Sequence, residues 1–118
     1  MIASLVEEHA VFDSSLDRLE DAIAASRIER ETFRATAQLA AAHYRHEDQF
    51  LIRLQESQPA LAAKLRAQHE EALEIAARLD ESLAAGESDV MYLARRFLAI
   101  ARHNIIEEER DVFPLFER

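Results

Sequence analysis

The sequence predicts an all-α protein, an antiparallel up-down-up-down four-helix bundle, and three observations carry that prediction. The first is composition: one Gly and two Pro in 118 residues, against 49% hydrophobic and 31% charged residues. Almost nothing interrupts a helix, and the abundant residue types (Ala, Leu, Glu, Arg) are strong helix formers. The second is apolar periodicity at helical spacing in four segments. The third is an internal repeat that makes each half of the chain a helical hairpin.

The first helix is expected from about Ile2 to Ala25, with Leu5, Phe12, Leu16, Leu19 and Ile23 on one face. Ser26-Arg27-Ile28-Glu29 reads as a capping box, Ser at the cap and Glu three residues on, opening a second helix that runs to about Glu56. Ser57-Gln58-Pro59 breaks the chain, and Pro suits the first turn of a third helix. That helix runs to about Ala85, where Gly86 can take the left-handed cap conformation. Ser88 or Asp89 caps the fourth, and Pro114 limits its end. Helices of about 25 residues are on the order of 36–40 Å long. Connections of a few residues make neighbours antiparallel. One domain, 1–118, is thus expected as hairpins of about 1–57 and 58–118; an extended two-hairpin rod and a swapped dimer satisfy the same pattern.

Shifting the chain by 60 residues places Leu5 on Leu65, His9 on His69, Leu19 on Leu79, His43 on His103 and Glu47 on Glu107. Leu and Ala match readily by chance in such a sequence. Two His pairs and a Glu pair at one offset do not. Within each hairpin His and Glu stand four apart (His43 and Glu47, His103 and Glu107), one turn apart on one helical face. They sit among Leu39, Ile52, Leu93, Phe97 and Ile100, on or beside the stripes expected to face the core.

Composition excludes several classes of function. Cysteine is absent, so disulfides, thiolate metal sites and cysteine nucleophiles are out. A formal charge of -9 leaves no basic surface for nucleic acid. No apolar run approaches the roughly 18 residues that span a bilayer. Met1-Ile2-Ala3-Ser4-Leu5-Val6-Glu7-Glu8-His9 lacks the basic start and apolar stretch of a secretory signal. A soluble cytoplasmic protein, with no nucleic-acid or membrane partner, is the expectation.

Burying carboxylates beside imidazoles costs several kcal/mol per unpaired charge. Divalent cations remove that cost, and imidazole with carboxylate suits iron, manganese or zinc. Helix bundles build dinuclear carboxylate sites from such residues. The repeat then predicts one metal per hairpin, with Glu47 and Glu107 close enough to bridge.

The chain resembles the hemerythrin-like, HHE cation-binding, family over essentially its whole length. Glu8-His9, His43-Tyr44-Arg45-His46-Glu47-Asp48, Gln68-His69-Glu70 and the run from His103-Asn104-Ile105-Ile106-Glu107-Glu108 to Phe113-Pro114-Leu115-Phe116 carry the resemblance. It implies a non-haem di-iron centre with an oxo or hydroxo bridge, zinc or manganese being substitutes. The implied ligands are His9, His43, Glu47, His69, His103 and Glu107. The oxygen-carrying members place a second His one turn after the helix-three His, where this chain has Leu73. Their last carboxylate falls five residues after its His, which here is Glu108; repeat symmetry favours Glu107. Asp13 could coordinate metal or orient His9, and Tyr44 could donate to a bridging oxygen or pack. His46, matched by Ile106 in the repeat, reads as a surface or supporting residue, and Glu7, Glu8, Glu70, Glu71, Glu108 and Glu109 as solvated helix charges. The functional expectation is binding or sensing of oxygen, nitric oxide, peroxide or iron. The alternatives are a di-iron redox enzyme, reducing peroxide or activating oxygen, and a metal-free helical interaction module.

Overall fold

The computed structural model describes residues 2–116, so residues 1, 117 and 118 of the expected domain lie outside the described residues. Four long helices follow one another: α1 (Ile2–Ala24), α2 (Arg30–Ser57), α3 (Pro59–Ala85) and α4 (Val90–Glu107). A π-helical turn over Glu108–Val112 and a short α5 (Phe113–Phe116) extend the fourth. α1 packs on α2, α2 on α3, α3 on α4, and α4 back on α1. The hairpins therefore pack on each other within one chain as a closed bundle, not as an extended rod. The body measures 47 × 23 × 18 Å. No described helix is long and apolar enough to cross a membrane.

The ends of the helices follow the sequence only in part. Pro59 opens α3 as expected. Gly86 closes it with φ 65°, and Glu87 N–H donates to the Ser82 carbonyl at 3.0 Å. Ser26 does not cap α2. It takes the left-handed conformation itself, φ 55°, while Ser26 N–H donates to Ile23 and Arg27 N–H to Ala22. This is the same helix-closing motif that Gly86 makes 60 residues later, built on a residue with a Cβ. Nor does Pro114 end the helix. It lacks an N–H and its ring crowds the carbonyl four residues back; the widened turn over Glu108–Val112 gives it room, with Phe113 N–H reaching the Glu108 carbonyl.

Apolar packing forms two clusters along the bundle axis. One, towards the Ser26 and Gly86 end, is built on Phe12, Leu16, Phe33, Tyr44, Leu79, Leu93 and Phe97. The other joins Leu5, Phe50, Leu51, Leu54, Leu65, Val112 and Phe113. Leu39 and Ile52, expected on or beside the inner stripes, are exposed, whereas Leu93 and Phe97 are buried. Between the clusters lies a layer of buried polar side chains: His9, His43, Glu47, His69, Asn104, Glu107 and Glu108.

The repeat is real in three dimensions, but its offset changes. Buried positions of α1 and α3 match at 60 residues: Leu5 with Leu65, His9 with His69, Leu19 with Leu79. Those of α2 and the fourth helix match at 61: Thr36 with Phe97, Ala40 with Ala101, Tyr44 with Ile105, Leu51 with Val112. The inner face of α4 is turned by one residue, roughly 100°, from where a uniform repeat would put it.

Candidate metal centre

His9 lies two turns into α1, between Leu5 and Phe12 on the buried stripe, and His69 occupies the matching place on α3 between Leu65 and Ala72. His43 and Glu47 stand one turn apart on the inner face of α2. The fourth helix contributes Glu108, at the first residue of the π turn. His9 Nε2 is 3.1 Å from Glu108 Oε1 and 3.4 Å from Glu47 Oε2. His69 Nε2 is 3.0 Å from Glu108 Oε2 and 3.4 Å from Glu47 Oε1. His43 Nε2 is 3.1 Å from Glu47 Oε1. Three imidazoles from three helices thus surround two carboxylates.

The far sides of the rings are held as well. Glu8 accepts from His43 Nδ1 at 2.8 Å and from His46 Nδ1 at 2.5 Å. Glu109 accepts from His9 Nδ1 at 3.2 Å. Tyr44 stacks on His69, ring centroids 4.1 Å apart and planes at 14°, with its hydroxyl buried and without a hydrogen-bond partner among the described residues. Carboxylates behind imidazoles fix the ring orientation and raise basicity, as around metal-bound histidines.

Electrostatics show what the layer lacks. Burial works to lower the His9 pKa, but hydrogen bonds to Glu108 and Glu47 win and raise it to about 10. The same opposition raises His69 to about 9. His43 is raised too, against burial, by Glu47 and Glu8. Glu47 is held well below the usual carboxylate range despite burial, by Glu108 and the three imidazoles. Glu108 is pushed up to about 7 by burial and by Glu47 beside it. Protons on the rings therefore supply the positive charge that two packed carboxylates demand.

A cation fits this donor set. His9, His43, Glu47 and Glu108 each offer a ligand atom, and those atoms lie within 4.8 Å of one another. Bonds of roughly 2.0–2.2 Å, as nitrogen and oxygen make to zinc, would need only a small contraction. His43 Nε2 and Glu47 Oε1 are buried and close together yet make no hydrogen bond with any described residue. Their lone pairs are free to face a cation between them.

The fourth helix departs from the uniform repeat. Glu107 does not join the layer's centre; it faces Lys64 at 2.5 Å, Gln68 at 2.9 Å and His103 at 3.2 Å. His103, with its side chain 64% exposed, lies outside the cluster. The one-residue turn of α4 is the reason: it brings Asn104 and Glu108 inward where an offset of 60 would bring His103 and Glu107. Of the two acids the sequence offers on this helix, Glu107 by repeat symmetry and Glu108 five residues after His103, the structure places Glu108 against His9 and His69. Asp13 does not orient His9; it lies on the exposed side, 3.9 Å from Arg102. His46 supports the site through Glu8, at the rim. Glu8 and Glu109, expected as solvated charges, both contact ring nitrogens of the cluster. A signal for Glu8 existed: His43 and His46, three apart on α2, present a paired face to an acid adjoining His9 on α1.

A bundle with histidines and glutamates converging from every helix at mid-height defines a cation-binding helical protein. The family described as the hemerythrin HHE cation binding domain matches residues 1–116, and the chain belongs to it. No curated protein and no solved structure matches the chain.

Proposed function

We propose that the buried layer is a non-haem di-iron centre at which a small oxidising ligand (oxygen, nitric oxide or peroxide) is bound or sensed, in a cytoplasmic protein. The observation that supports it most is the convergence of His9, His43, His69, Glu47 and Glu108 in a buried interior where the carboxylates need cations. Those five side chains are the proposed ligands. Bound iron would supply Lewis acidity and an exchangeable electron there.

The surrounding residues prepare the place. The apolar clusters above and below shut out bulk water. Glu8 and Glu109 aim His43 and His9 inward by accepting from their outer nitrogens. A groove of about 520 Å³ between α1 and α2, floored by Phe12 and His43 and edged by Glu8 and His46, leads from solvent towards the cluster. It suits access by a small ligand.

A second reading, a peroxide-reducing or oxygen-activating enzyme, is favoured by one feature. Leu73, where oxygen carriers have a histidine, packs against the core and offers no ligand. Coordination left free on that side would be exchangeable. Metal analysis and the visible spectrum of protein expressed with iron test the main reading. Bound iron with charge-transfer bands that respond to oxygen, nitric oxide or peroxide supports it, as does loss of iron in His9→Ala and His43→Ala. A colourless protein indifferent to chelator would reduce the layer to a structural feature.

A further inference from the structure

The polar layer is built twice about the pseudo-two-fold axis, with different chemistry each time. At an offset of 60, Glu8 corresponds to Gln68; at 61, His43 corresponds to Asn104 and His46 to Glu107. The hydrogen-bond pattern is kept. Glu8 joins His43 to His46, and Gln68 joins Asn104 to Glu107, accepting from Asn104 Nδ2 at 2.8 Å and donating to Glu107 Oε2 at 2.9 Å. One half therefore has an imidazole backed by a carboxylate. The other has a neutral amide backed by a neutral amide, and its acid is occupied by Lys64.

We propose that the two metal positions are unequal: a tight one held by His9, His43, Glu47 and Glu108, and a weak one whose lone imidazole is His69. This rests on the reading that the layer binds metal. The four residues of the tight position have ligand atoms within 4.8 Å of one another, and His69 is not among them. The carboxylates Glu47 and Glu108 touch both sides, so only the nitrogen donors distinguish the positions. Two imidazoles serve the first, and Glu8 behind His43 raises its basicity. The second has one imidazole, stacked under Tyr44, and Asn104 where the first has His43. A neutral amide is a poorer donor than imidazole for a first-row transition metal.

The test is an anaerobic titration of the full chain with ferrous ion, reading bound metal per chain against free metal by equilibrium dialysis. The expected result is one equivalent at least about 100-fold tighter than the second, taking roughly tenfold or more per altered ligand or backing residue. His69→Ala should remove the weak equivalent and spare the tight one, and His9→Ala should remove the tight one. Glu8→Gln should weaken the tight equivalent about 10–100-fold and leave the weak one within about threefold. Asn104→His should strengthen the weak equivalent at least about tenfold. Circular dichroism checks that each variant is helical; should His9→Ala not fold, the Glu8 and Asn104 variants decide. Two equal equivalents in the unaltered protein, or loss of one on His103→Ala, would overturn the proposal. No ferrous binding at all would overturn the metal reading itself, and the proposal with it.

Discussion

Loading the cluster with metal should expel protons, because the imidazoles are held charged by the carboxylates they face. His9 at about 10 and His69 at about 9 are both essentially fully protonated at pH 7, and Glu108 at about 7 is half protonated. Coordination needs neutral imidazole and ionised carboxylate. Saturation at pH 7 should therefore release roughly 2.5 protons from these three groups, plus the share of His43. At pH 9 His69 is half titrated, Glu108 is ionised and His9 remains nine-tenths protonated, so release falls to roughly 1.4. Because metal and protons compete, affinity rises with pH, steeply near neutrality and less so above pH 9. Calorimetric titration in buffers of different ionisation enthalpy reads the number directly, as the slope of observed heat against buffer enthalpy. Release well below one proton at pH 7 would refute the reasoning: the rings would then be neutral in the metal-free layer, or would not be ligands.

Three further outcomes follow from the same geometry. The metal-free protein should lose stability from pH 6.5 to 10. His9 and His69 have folded pKa values above the ordinary 6.5, so their contribution is complete below 6.5 and is lost as pH rises through about 9 and 10. The loss, on the order of several kcal/mol in sum, should appear in thermal melts across that range, and a flat profile would count against the charged layer. Ser26→Gly should stabilise the fold by about 0.5–1 kcal/mol, because φ 55° is strained for a residue with a Cβ and free for glycine; a lower denaturation midpoint would contradict it. Phe97→Ala, which empties a buried site packed edge-on to Phe33 at 5.3 Å, should cost about 3–5 kcal/mol by denaturant titration.

The four helices and their antiparallel order were legible because so few residues interrupt the pattern and the breaks at Ser26, Pro59 and Gly86 fall between apolar stripes. His9 and His69 were legible because a polar residue repeated at a fixed offset within two buried stripes is hard to explain by chance, and His43 and Glu47 because they stand one turn apart beside the apolar face of α2. The fourth helix departs from the uniform repeat for a physical reason. Matching the polar residues gives 60, but helix rotation is set by the apolar residues that must be buried, and those of the fourth helix match at 61. Ala94, Phe97, Ala101, Ile105 and Val112, spaced by three, four or seven, run through Glu108 and leave Glu107 beside them. That stripe was present in the sequence, and weighing it above the His and Glu match would have chosen Glu108. Glu8 and Glu109 were harder: an acid on a helix flank reads as solvated until the neighbouring helix places a ring nitrogen against it. The conformation of Ser26 was equally hidden, since Ser favours helix starts and only the closing geometry of α1 shows it ending a helix instead.

The layer between the two apolar clusters also governs how the bundle comes apart. Each end of the rod holds its own apolar nucleus, and the slab separating them coheres through buried charge pairs and through rings stacked on Tyr44 and Phe113. A cation held by His9, His43, Glu47 and Glu108 would tie α1, α2 and the fourth helix together through the slab and couple the melting of the two ends.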